Sequence, residues 1–270
     1  AKSVYRKILE IDPTDIKATL ALQRKKSQAN NTLLPLFQDT DIAIDLKIKE
    51  LFPYIERIAG GDPAELETAL LLAKTLTEAH PQEAKAFAAY GDLLYHSGDI
   101  QTAQTQYKQT LALDDTVYPV WEQLMYSHLD LQQFSQLLET SVAAMDVFPN
   151  QARIYYLNAV AQRALNASED ALEMLEEAQL MAGKDQRLKF DVLAQMGAAY
   201  FDLKDFESAK NKVEGALEIN SQAYTLVEKY GDILAALGEQ KAAMEQWKRA
   251  KKLGADSAEL RQKIAGEGSK

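Results

Sequence analysis

Along residues 84–117 the apolar positions recur at helical rather than strand spacing. Phe87, Tyr90 and Leu94 form one stripe and Ala103, Tyr107 and Leu111 a second. Steps of three and four residues put each set on one face of an α-helix. Ser97-Gly98-Asp99 between them supplies turn residues, so the segment predicts two amphipathic helices joined by a tight connection. The same pattern returns along the chain. Gly197 in Met196-Gly197-Ala198-Ala199-Tyr200 and Gly231 in Tyr230-Gly231-Asp232-Ile233-Leu234 are 34 residues apart. Gly91 precedes Gly197 by 106 residues, which is three periods of 34 plus four. Ala103, Leu137, Ala171, Ala209 and Ala243 follow at intervals of 34, 34, 38 and 34, and Thr110, Ala144, Ala178, Ala216 and Ala250 repeat those intervals. The shared 38 places a four-residue insertion, about one helical turn, near 186–189.

A helix pair this short cannot bury its own apolar face, and stacking on the next pair completes the burial. Close stacking needs small residues where helices cross, and Gly91 and Ala103 supply that room. Asn166-Ala167-Ser168-Glu169-Asp170 and Leu237-Gly238-Glu239 punctuate later pairs, while His80-Pro81 and Phe148-Pro149-Asn150 separate one pair from the next.

These markers resemble the tetratricopeptide repeat (TPR) family. Five full repeats fit its frame: 84–117, 118–151, 152–185, 190–223 and 224–257. Position four then holds Phe87, Trp121, Tyr155, Leu193 and Val227, and position twenty-four holds Tyr107, Ser141, Leu175, Val213 and Trp247. Departures are Met125 and Ala159 in place of glycine at position eight, and Ser141 in place of an aromatic residue at position twenty-four. The resemblance implies an all-α fold, a right-handed TPR superhelical solenoid of antiparallel helix pairs. A degenerate repeat is expected over 41–83, with a truncated half-repeat and a long connection over 1–40. The opening residues through Pro13 read as the end of a helix whose start would lie upstream. Residues 27–40, with no sustained period, are expected to form a mobile or partner-contacting loop. Pro53, inside an apolar helical pattern, is expected to kink or break its helix. A capping helix is expected over 257–264 as part of a cap and frayed tail at 258–270.

Composition narrows the chemistry. The 270 residues include 30 basic and 40 acidic ones, for a net charge of −10, and no cysteine. Disulfides, zinc–thiolate sites and thiol nucleophiles are excluded, and an acidic surface disfavours nucleic acid and anionic membranes as partners. No apolar run is long enough to span a bilayer. His80, His96 and His128 lack the i, i+3 or i, i+4 spacing of metal ligands, and His128 reads as a packing residue. Gly183-Lys184 is no phosphate loop, because Ala178 and Asp185 stand where Gly and Ser or Thr are needed. Glu173, Glu176 and Glu177 read as a solvated helix face rather than catalytic carboxylates. The triplets at Asn30 and Asn166 match a glycosylation acceptor but matter only in a eukaryotic secretory context. No catalytic residue, cofactor or metal is expected.

The resemblance further implies that positions two, five, nine and twelve of each first helix line an inner groove. The expected groove residues are Lys85, Asp92, Tyr95, Glu122, Tyr126, Arg153, Tyr156, Val160, Arg163 and Phe201. Aromatic anchors beside arginine are what interface hot spots favour. The carboxylate clamp of chaperone-binding TPR domains is disfavoured: Ala88, Glu122, Tyr156, Ala194 and Glu228 occupy position five, and no asparagine occupies position nine. The expected function is a non-enzymatic scaffold binding a peptide or helical segment of a partner protein. The alternatives are a structural assembly subunit that contacts neighbours through its convex face or ends while its groove is occupied by its own chain, with residues 27–40 the candidate segment, and an accessory module of a larger protein. Phrases such as Phe148-Pro149-Asn150-Gln151 resemble bacterial envelope-associated TPR proteins, which implies the periplasm or envelope, with the cytoplasm as alternative.

Overall fold

The structure, a computed structural model, describes residues 2–11, 18 and 33–266. The regular elements among them are helices: α1 (Lys2–Ile11), α2 (Leu34–Gln38), α3 (Ile44–Ala59), α4 (Leu66–Ala79), α5 (Ala84–Ser97), α6 (Ile100–Leu113), α7 (Tyr118–Asp130) and α8 (Phe134–Val147). They continue as α9 (Ala152–Ala164), α10 (Ser168–Met181), α11 (Gln186–Asp202), α12 (Phe206–Ile219), α13 (Tyr224–Ala236), α14 (Gln240–Lys252) and α15 (Ala258–Ala265). From α5 onward, odd-numbered helices open a repeat and even-numbered ones close it. The chain divides into two compact units, Ala1–Leu131 and Gln132–Lys270.

The turn inside every repeat is one structure written five ways. Position fifteen has a left-handed backbone throughout, at Gly98 (φ 90°), Gln132 (53°), Asn166 (65°), Lys204 (64°) and Gly238 (81°). Glycine adopts that conformation without strain and asparagine visits it readily, so the motif is clear in the sequence at Gly98, Asn166 and Gly238 and hidden at Gln132 and Lys204. The four-residue insertion lengthens a helix rather than a loop. It forms an additional first turn of α11, which has 17 residues against 13 in α13, capped by the Asp185 carboxylate accepting from Leu188 N.

Position eight faces position twenty-four across each pair, and the sizes there compensate. A Cβ on Gly91 would lie 2.7 Å from Tyr107 Cε1, one on Gly197 2.5 Å from Val213 Cγ2, and one on Gly231 2.5 Å from Trp247 Cδ1 and Nε1. In the third repeat Ala159 replaces glycine and the partner position holds Leu175, both fully or nearly fully buried. Where the large residue carries a donor, position nine supplies an acceptor. Tyr107 Oη donates to Asp92 Oδ1 at 3.0 Å, and Trp247 Nε1 donates to Asp232 Oδ1 at 3.0 Å.

In unit Ala1–Leu131 the structure departs from one sequence expectation and narrows another. Residues 33–38 of the expected loop are part of the core: Leu36 and Phe37 are buried with Leu51, Leu72, Leu76 and Leu93, and α2 packs on α4. Residues 27–32 lie outside the described residues. The helix containing Pro53 does not break, since α3 runs through it to Ala59. Proline removes one backbone donor and leaves the carbonyl four residues earlier unbonded. Here both Pro53 and Lys49 are on the exposed side, where water satisfies that carbonyl.

A buried lysine ties α2 in place. Lys47 is 0% exposed, and its Nζ donates to Phe37 O at 3.0 Å and Asp39 O at 2.5 Å and lies 2.7 Å from His80 Nε2. Burial lowers the lysine's pKa, and Asp39 opposes that shift. Burial and the neighbouring ammonium likewise lower that of His80, against the pull of Glu83.

In unit Gln132–Lys270 the pairs α9/α10, α11/α12 and α13/α14 stack in sequence, and α15 closes the end. Ser257 Oγ caps α15 by accepting from Leu260 N at 3.0 Å, and Leu260 is fully buried. The expected fraying of 267–270 lies outside the described residues.

Candidate functional site

The first helix of each repeat positions the side chains expected to line a groove. Many of them bond to the neighbouring repeat. In unit Ala1–Leu131, Lys85 Nζ donates to Asp45 Oδ1 of α3 at 2.6 Å. Asp92 accepts from Tyr107, and burial raises its pKa while the Tyr107 bond and His96 lower it. Tyr95 Oη donates to Asp130 Oδ2 at 2.5 Å, and burial, Asp130 and Tyr126 together raise its phenol pKa. Glu122 and Tyr126 on α7 are half-buried.

In unit Gln132–Lys270, Arg153 Nη2 pairs with Asp185 Oδ2 at 3.3 Å, a carboxylate that also caps α11. Arg163 donates from Nε to Gln195 Oε1 at 3.0 Å and from Nη1 to Asp202 Oδ2 at 2.9 Å. Tyr156 and Val160 are half-buried on α9 and share a stripe with Arg163. Phe201 packs tilted on Phe206 with ring centroids 5.4 Å apart, and Lys229 Nζ stands 4.4 Å from its ring centroid.

Two of these contacts are the same contact. Position twelve of one repeat bonds to an aspartate at position thirteen of the next, as Tyr95 to Asp130 and as Arg163 to Asp202. The separations are 35 and 39 residues, equal once the four-residue insertion is subtracted. Sequence reasoning identified Tyr95 and Arg163 but not their aspartate partners. A search for a carboxylate at position thirteen of the following repeat would have found them.

The fifth repeat is covered by the chain itself. Lys263 of α15 pairs with Glu228 Oε1 at 3.2 Å and Asp232 Oδ1 at 2.7 Å, which occupy positions five and nine. Burial disfavours the Lys263 charge, yet the two carboxylates outweigh it and raise the pKa above lysine's ordinary value. The capping helix expected over 257–264 carries this contact, which the sequence pattern did not reveal.

Among the described residues no group of three or more His, Asp or Glu side chains is placed to hold a metal ion. His128 is 1% exposed, with Nδ1 3.0 Å from Gln104 Nε2, a packing position. No helix among the described residues is long and apolar enough to cross a membrane.

No family model matches the sequence, and no curated protein matches it. Solved structures do. PilF of Pseudomonas aeruginosa aligns at 15% identity over 86% of this chain and 99% of its own, with a TM-score of 0.64. YrrB, described as a TPR protein with an unusual peptide-binding site, aligns at 15% identity over 73% of this chain and 97% of its own, with a TM-score of 0.56. A chain of the APC/C hetero-tetramer Cut9–Hcn1 aligns at 18% identity over 97% of this chain, with a TM-score of 0.59, and this chain spans 45% of it. At such identities the likeness concerns the fold. Together with the 34-residue period and the five equivalent left-handed turns, it identifies this chain as an all-α repeat protein with the tetratricopeptide-repeat fold.

Proposed function

We propose that the chain is a non-enzymatic scaffold that holds a peptide or helical segment of another protein against its first helices. The observation that carries this reading is the stripe Tyr156, Val160 and Arg163 on α9. An aromatic ring, an aliphatic residue and a cation stand one helical turn apart on a face that is only half-buried. Arg163 is held by Asp202 and Gln195, so this stripe is preorganised, which lowers the entropic cost of binding. Tyr126 with Glu122 offers the counterpart on α7. The description of YrrB as a peptide-binding TPR protein supports the same class of function.

A second reading is a structural subunit whose groove is filled by its own chain. Lys263 across Glu228 and Asp232 favours it at the fifth repeat. A photo-crosslinking residue at position 156 in the source cell separates the two. Repeated capture of one foreign segment is expected. That segment, made as a synthetic peptide, should bind Tyr156→Ala about tenfold or more weakly than the parent chain, with the melting temperature held within a few degrees. Capture of the chain's own residues alone would transfer the groove to the structural reading.

A further inference from the structure

The fifth repeat contains a cation site that the chain fills itself. Asp232 at position nine accepts from Trp247 at position twenty-four at 3.0 Å and pairs with Lys263 Nζ at 2.7 Å. The same ammonium stands 6.0 Å from the centroid of the Trp247 ring. The first repeat has the same carboxylate and an equivalent donor: Asp92 at position nine accepts from Tyr107 at position twenty-four, again at 3.0 Å. Asp92, Tyr107 and Gln123 each precede Asp232, Trp247 and Lys263 by 140 residues. Gln123 of α7 therefore holds the place from which Lys263 of α15 supplies the cation.

The first repeat lacks the charge that completes the fifth. Asp92 is half-buried and has no ion pair among the described residues, and the Gln123 side chain makes no hydrogen bond among them. The basic group that acts on Asp92 is His96, one turn further along α5. Accepting a bond from Tyr107 does not require a charge, since a neutral asparagine would accept it without the cost of desolvating a carboxylate. The charge of Asp92 thus has no counterpart within the chain. A second carboxylate belongs to the same network: Tyr95 at position twelve donates to Asp130 of α7, and Tyr95 acts electrostatically on Tyr107. Asp130 is exposed and also has no ion pair among the described residues.

We propose that Asp92 and Asp130 receive a lysine or arginine side chain of the partner segment, in the role that Lys263 plays at Asp232. The inference rests on the groove reading above and gives the partner its chemistry, a basic segment. The net charge of −10 favours the same class of partner by steering cationic segments toward the chain.

A random peptide library displayed on phage and selected against the full chain tests it. Selected peptides whose affinity falls in Tyr126→Ala are the groove binders. They are expected to share a lysine or arginine, and replacing that residue with leucine should weaken binding at least about tenfold. Asp92→Asn, which keeps the bond from Tyr107 and removes the charge, should weaken it by a similar factor, with a melting temperature within a few degrees of the parent chain. Gln123→Lys should reproduce the fifth repeat: its ammonium pairs with Asp92, raises the melting temperature and excludes the peptides. Groove binders without a shared basic residue, or ones that bind Asp92→Asn as tightly as the parent chain, overturn the inference and leave the groove reading standing. A selection in which no peptide responds to Tyr126→Ala overturns the groove reading, and the inference falls with it.

Discussion

Gly231→Ala is expected to destabilise the chain by about 2 kcal/mol, within the range for overpacking a close-packed site. The same substitution in an exposed helix interior stabilises by about 1 kcal/mol, because alanine has the better helix propensity. The sign reverses here because the new methyl group would stand 2.5 Å from Trp247 Cδ1 and Nε1. The indole cannot retreat freely: it is 7% exposed, and its Nε1 is bonded to Asp232. Trp247→Leu alone should destabilise by about 3 kcal/mol through lost burial and a residual cavity. The double variant restores the pairing already present at Ala159 and Leu175, so its loss should fall short of the sum by about 1 kcal/mol or more, a coupling typical of side chains in contact. Urea unfolding of the four chains with unchanged slope measures the cycle. Strict additivity would show that the glycine and the ring are not matched to each other.

Lys47→Met is expected to lower stability by about 2–3 kcal/mol, chiefly by leaving the buried Phe37 carbonyl without its charged donor. Methionine keeps much of the side chain's length, so lost volume contributes little. Removing a desolvated cation recovers part of the loss, and Asp39 O, on an exposed residue, can turn to water. Amide exchange in α2 should accelerate more than exchange in α4, because the lysine ties 37–39 to α3.

The same cluster predicts an acid limb. His80 accepts from the Lys47 ammonium with a neutral ring, and its folded-state pKa lies below the ordinary value. Between that lowered value and about 6.5 the unfolded chain binds more protons than the folded one. Stability therefore declines as pH falls below about 6.5 and levels off beneath the folded-state pKa. His80→Gln, which keeps an acceptor but cannot titrate, should remove that part of the decline in melts taken between about pH 7 and pH 5. An acid limb unchanged in His80→Gln would assign it to the carboxylates.

How much was legible in the sequence follows from which interactions repeat. The 34-residue period, the insertion at 186–189, the helix pairs from Ala84 onward and the cap at α15 could all be read from the chain. Stacking imposes the same steric demand on every repeat, so small residues such as Gly91, Gly197 and Gly231 recur in one frame. The left-handed turn was visible at Gly98, Asn166 and Gly238 and hidden at Gln132 and Lys204, because packing on both sides overrides the preference of a single residue. Pro53 does not end its helix, because an exposed helix face tolerates a missing donor that a buried one does not.

The residues expected to line a groove could be named by their place in the repeat frame, but their contacts could not. Tyr95 and Arg163 bond to aspartates of the next repeat, and a period alone does not say which side chains meet across a stack. Lys47 reaching Phe37 and His80, and Lys263 reaching Glu228 and Asp232, are single contacts with no repeated frame behind them. Periodic packing writes itself into the sequence many times over, whereas a lone polar contact between distant residues is settled only when the folded chain brings them within hydrogen-bonding distance.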